Sequence, residues 1–135
     1  MKYMERKRKI LDLPLKKEWY EMIESGVKTE EYREIKSYWC NRLLFGHSLG
    51  IKLYDGHMFD SVTEYNFGEP YCHSYKYLIS KYGTRDYTHV RFRYGYTKRT
   101  MLFELKGITI GKGKTEWGAP EDKEVFILKL GDRIV

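Results

Sequence analysis

Cysteine is scarce in this chain. Only Cys40 and Cys72 occur, and two isolated thiols make no disulfide framework. No paired CxxC or HxxxH spacing joins Cys72 to His47, His57 or His73, so neither a zinc site nor a cofactor is expected. Apolar runs long enough to cross a bilayer are missing, and so is a signal-peptide pattern. The expectation is a cytoplasmic protein with free thiols and no membrane partner. Internal repeats and low-complexity segments are absent too.

What remains is a chain of 135 residues, which fits one domain spanning 1–135. Hydrophobic residues make up 41%, too many for a disordered chain and enough for one core. The 13 tyrosines, each a flat apolar ring with a polar tip, suit half-buried sheets and binding faces. A net charge of +6 makes nucleic acid a candidate partner. Part of that charge, the run Arg6 to Lys9, reads as a solvated terminus.

"KILDLPL" reads as a short strand ending at Pro14. In "LKKEWYEMIESG", Leu15, Trp19, Met22 and Ile23 form one apolar helical stripe, Lys17 and Glu21 pair on the wet side, and Gly26 takes the left-handed C-cap. "KTEEYREI" follows as a strand. Alternation places Glu31, Arg33 and Ile35 on one face, and Glu30, Tyr32 and Glu34 on the other, where Glu30 and Glu34 are expected in water. "SYWCNRLL" reads as a short helix with Ser37 in the capping position, and "GIKLYDG" as a strand. Residues 56–87 are rich in tyrosine, glycine and polar residues, and irregular structure is expected there, with one helical stretch over Tyr75 to Tyr82.

In "THVRFRYGY", Val90, Phe92, Tyr94 and Tyr96 alternate with His89, Arg91 and Arg93. "MLFELKGITI" is a second strand whose apolar phase shifts at Gly107. A bulge there keeps Met101, Phe103 and Leu105 on the same side as Ile108 and Ile110. A turn-rich loop and the closing strand "EVFILKLG" complete an α+β domain built around a curled sheet or small barrel.

Three groups carry candidate chemistry. The first is Gly26-x-Lys28-x-x-Glu31-x-Arg33, in which Glu31 and Arg33 share a strand face and Lys28 follows the helix end. Two cations flanking a carboxylate favour its charged form, and a fixed guanidinium fork suits a phosphate or a base edge. An exposed charge ladder satisfies the same spacing. The second is "HVRFRYGY", with Arg91 and Arg93 as phosphate contacts and the aromatics in the core. The third, "GITIGKGKTEWGAP", lacks the Gly-Lys-Ser/Thr ending of a phosphate-binding loop and reads as a hairpin-like connection. Its Trp117 either packs against the barrel or stacks on a ligand.

"LPLKKEWYEMIESGVKTEEYREIKSYW" resembles the N-terminal part of the ASCH domain family, whose signature glycine, lysine, glutamate and arginine match Gly26, Lys28, Glu31 and Arg33. The tail, "VRFRYGYTKRTMLFELKGITIGKGKTEWGAPEDKEVFILKLGDRI", resembles the same family, in particular its phage and bacterial members. The resemblance implies a PUA-like small mixed β-barrel with flanking short helices, its signature residues lining a cleft beside the first helix. It also implies RNA or nucleotide binding. Some small bacterial members hydrolyse acetylated cytidine. By that analogy Lys28 would be catalytic, and Glu31 stands where those enzymes keep a threonine nucleophile. A carboxylate is a poor stand-in for a hydroxyl that must attack an amide carbon. Thr29 supplies a hydroxyl two positions away, and Glu64, Glu69 and Glu104 are all open as the downstream glutamate. A binding module, a hydrolase acting on a modified nucleoside or RNA, and a protein-interaction module built on the tyrosine-rich middle are the competing readings.

Overall fold

The computed structural model describes residues 7–45 and 83–135. The strand expected in "GIKLYDG", the helix over Tyr75 to Tyr82, the tyrosine-rich stretch up to residue 82, and His47, His57, Cys72, His73, Glu64 and Glu69 lie outside the described residues.

Among the described residues, five strands and two short α-helices follow one another as β1 (Ile10–Leu15), α1 (Lys17–Glu24), β2 (Glu30–Arg33), α2 (Ser37–Leu43), β3 (His89–Tyr94), β4 (Thr100–Lys112) and β5 (Glu124–Arg133). They form a single mixed sheet, curled into a half-barrel, in the order β1-β3-β4-β5-β2. Only the β1–β3 pair is parallel. The first two strands of the chain therefore occupy opposite edges of the sheet, and α1 carries the chain from one to the other.

The main core fills the inside of the curl. Leu11, Leu13 and Leu15 of β1 meet Val90 and Phe92 of β3, Met101 and Phe103 of β4, and Phe126 and Leu128 of β5. Each large side chain buried there contributes roughly 1.5–3 kcal/mol. A smaller cluster, Tyr32, Ala119, Val125 and Ile127, packs with Trp117. The expected bulge is present: the β4–β5 register shifts twice between Phe103 and Gly107, and Met101, Phe103 and Ile108 are all buried. No helix among the described residues is long and apolar enough to cross a membrane.

Several local expectations need correction. β1 does not stop at Pro14 but runs on through Leu15. An edge strand tolerates proline because the missing N–H faces away from the ladder. Leu15 therefore belongs to the strand, and Tyr20 and Ile23 are the buried residues of α1. Tyr20 packs edge-to-face on Tyr94, with ring centroids 5.0 Å apart. The N-cap of α2 is Lys36, one residue before Ser37, and the Lys36 side chain makes no capping hydrogen bond. Tyr96 is not part of the β3 face. The strand ends at Tyr94, Gly95 turns at φ 56°, and Tyr96 is 98% exposed.

Candidate functional site

The helix stop builds the first corner of the site. Gly26 adopts φ 86°, and its N–H bonds to the carbonyl of Ile23 (3.0 Å). The turn returns Lys28 beneath the helix, where its N–H donates to the carbonyl of Met22 (3.0 Å). Lys28 is thereby aimed inward before β2 begins. On β2, Glu31 and Arg33 stand two positions apart and project to the same side.

The three side chains form one buried ion cluster. Glu31 receives Lys28 Nζ on one carboxylate oxygen (2.9 Å) and Arg33 Nη1 on the other. Their side chains are 5%, 2% and 15% exposed, respectively, so the arrangement is no surface ladder. Lys28 also donates to the backbone carbonyl of Trp117, and its ammonium lies 4.8 Å from the Trp19 ring and 5.1 Å from the Tyr32 ring. Arg33 donates to the carbonyls of Tyr32 (2.8 Å) and Pro14 (3.3 Å), with its guanidinium 5.1 Å from the Trp39 ring. Two cations around one carboxylate leave a net positive charge.

The Arg33–Pro14 bond joins β2 to β1, the two open edges of the sheet. A second arginine does the same service two residues along. Arg42 of α2 donates to the carbonyl of Asp12 (3.4 Å). The carbonyls of Asp12 and Pro14 share one direction, away from β3, and arginines cap both.

A cleft of about 280 Å³ opens over the cluster, walled by Pro14, Lys16, Trp19, Tyr32, Trp117 and Gly118 together with the three charged residues. Gly118 adopts φ 101°, and a side-chain carbon there would come within 3.1 Å of the Trp19 indole. The "WG" pair thus lets the loop lie flat on Trp19 and turns the Trp117 carbonyl toward Lys28. The Trp117 ring packs on the smaller cluster, 4.2 Å from the Lys114 ammonium.

Tyr32 locks the same loop from the other side. Its hydroxyl donates to Glu30 (2.8 Å) and accepts from the N–H of Lys114 (3.0 Å). Gly113 passes so close that a side-chain carbon would sit 2.5 Å from the Tyr32 ring. Glu30 is therefore half-buried and engaged, not simply solvated, whereas Glu34 is exposed and paired with Lys36 (3.7 Å) and Lys123 (3.4 Å). Burial, reinforced by the nearby Glu30 carboxylate, pushes the Tyr32 phenol up to about 12. A raised acid favours the fold below its unfolded value near pH 10, and that contribution fades as pH rises through about 12. Wild type is expected to exceed Tyr32→Phe in stability by about 1 kcal/mol at pH 8. The gap should narrow above pH 10. Urea midpoints of both proteins at pH 8 and 11.5 check this, and an unchanged gap would refute the assignment.

Lys28, Glu31, Arg33 and the backbone of Trp117 thus converge. Arg91 and Arg93 do not line the cleft. They sit on β3, with Arg91 on Asp12 (3.2 Å) and Arg93 on the carbonyl of Thr97 (3.0 Å). Thr29 is exposed and does not line the cleft, and Glu104 is exposed on β4 beside a different hollow. Among the described residues, no serine, threonine or cysteine lines the cleft, and no group of three or more histidine, cysteine or acidic residues has the arrangement to hold a metal ion. Residue spacing alone missed Tyr32, Trp19, Trp39 and Lys16. One signal was available: all three tryptophans of the chain, Trp19, Trp39 and Trp117, touch the cluster.

Comparison with protein-family models, with curated proteins and with solved structures finds no match for this chain.

Proposed function

We propose that the cleft binds RNA or a nucleotide, as the resemblance to the ASCH family implies. The observation that carries this reading is the buried Lys28–Glu31–Arg33 cluster, positively charged and open to a cleft walled by aromatic rings. A net cation at the floor attracts a phosphate or a base carbonyl, and the rings of Trp19 and Tyr32 offer apolar walls for a base. Glu31 holds both cations in place. The half-barrel with short helices is compatible with the PUA-like barrel that the same resemblance implies.

The acetylcytidine-hydrolase reading has less support. No serine or threonine is among the described cleft residues, the Tyr32 hydroxyl is engaged by Glu30 and Lys114, and Glu31 has both oxygens engaged by cations. The test is anisotropy with a labelled octauridylate at 50 and 200 mM salt. Binding should weaken as salt rises, because phosphate contacts release counterions. No binding, or affinity indifferent to salt, would sink the proposal.

A further inference from the structure

The cleft, at about 280 Å³, is near the ~300 Å³ lower bound of small-ligand sites. It has room for about one base or sugar, and the rest of a longer ligand must lie outside it. We infer that the ligand is a single strand of nucleic acid and that it leaves the cleft across α2. It would follow a ladder of guanidinium and aromatic groups from Arg33 through Trp39, Arg42 and Tyr38 to Arg91. This inference rests on the reading of the cleft as a nucleic-acid site.

The ladder is continuous in the structure. Trp39 lies between two guanidinium groups, 5.1 Å from that of Arg33 and 5.3 Å from that of Arg42. Tyr38 meets Trp39 edge-on, with centroids 4.7 Å apart, and lies 5.8 Å from the Arg42 guanidinium. Helical spacing explains the group, since positions 38 and 39 stand four and three residues before Arg42. Arg42 then reaches the carbonyl of Asp12, and the Asp12 carboxylate holds Arg91. Arg91 thus rejoins the site as the far end of this path.

The chemistry selects a single strand. Tyr38 is 57% exposed, a large ring left in water beside the Arg42 guanidinium. Exposed rings stack on unpaired bases, which a duplex keeps inside its own stack. The hydrogen bonds of Arg42 to Tyr38 (3.5 Å) and to Asp12 (3.4 Å) are long, so its donors exchange readily for phosphate oxygens. The hollow on the other side of Arg33 offers a poorer exit. It runs past Pro120 and Val125 to Lys123 and the Glu34 carboxylate, and the one ring that lines it, Tyr32, is buried.

The test compares uridine monophosphate with oligouridylates of two, four and eight nucleotides, read by tryptophan fluorescence at low salt. Wild type should bind the octamer at least tenfold more tightly than the monophosphate. Tyr38→Ala should keep the wild-type melting temperature and monophosphate affinity, and lose roughly five- to a hundredfold in octamer affinity. Arg42→Gln should lower the salt slope for the octamer by about 0.7. The path across α2 is overturned if the octamer binds no more tightly than the monophosphate, or if Tyr38→Ala matches wild type on it. A duplex bound as tightly as the octamer overturns the choice of a single strand. Failure of every ligand to bind removes the reading of the cleft itself, and the path with it.

Discussion

Replacing Glu31 by alanine is expected to cost the fold about 3–5 kcal/mol. A domain of this size holds on the order of 5–15 kcal/mol, so the loss is a large part of the total. The reason lies in what stays behind. Lys28, 2% exposed, would be left beside two rings and one carbonyl with no carboxylate paired to it among the described residues, and Arg33 would lose the same partner. Breaking a buried pair leaves a stranded charge, which costs far more than the intact pair contributes. Glu34→Ala is the control. It removes two exposed ion pairs of 3.7 and 3.4 Å and should move stability by less than about 1 kcal/mol. Urea denaturation measures both. Adding Lys28→Met to Glu31→Ala should recover part of the loss, since the stranded ammonium is gone and a thioether packs well between Trp19 and Tyr32. A Glu31→Ala protein within 1 kcal/mol of wild type would show that the cluster is not desolvated as described.

The second large effect concerns binding. Arg33→Gln is expected to lower octauridylate affinity at least tenfold, because hydrogen bonds to a charged group are worth about 1.5–3 kcal/mol. The salt slope should fall by about 0.7, one phosphate contact on a single strand. Arg33→Lys should not restore full affinity. Its charge is the same, but the guanidinium bonds at once to Glu31, to the Tyr32 carbonyl and to the Pro14 carbonyl, and a single ammonium cannot span that set while facing a ligand. Anisotropy at two salt concentrations distinguishes these outcomes. Unchanged affinity and slope in Arg33→Gln would mean that the charge of the cleft does not recruit the ligand.

What was legible in the sequence was local. A glycine after an amphipathic run marks the helix stop, and positions 31 and 33 share a strand face by alternation alone, so the charged trio could be grouped before any fold was known. The phase shift at Gly107 announced its bulge for the same reason. Contacts between distant segments were not legible. The carbonyl that receives Lys28 is 89 residues away, in a turn whose shape depends on Gly118 lying on Trp19. The face that carries Glu30, Tyr32 and Glu34 gave no sign of a core, because two of its three residues are charged, whereas a second small cluster covers Tyr32. The sheet order placed β1 and β2 at opposite edges, which no local pattern encodes, and the cleft lies where those edges approach.

The capped edge of β1 has a consequence for self-association. A free strand edge presents a row of carbonyls and N–H groups on which a second copy of a chain can extend its own sheet. Here the outward carbonyls of Asp12 and Pro14 are taken by Arg42 and Arg33, and proline removes a donor between them. An approaching strand meets two guanidinium groups in place of two acceptors. The residues that make this surface attractive to a polyanion are thus the ones that discourage another copy of the protein from pairing there.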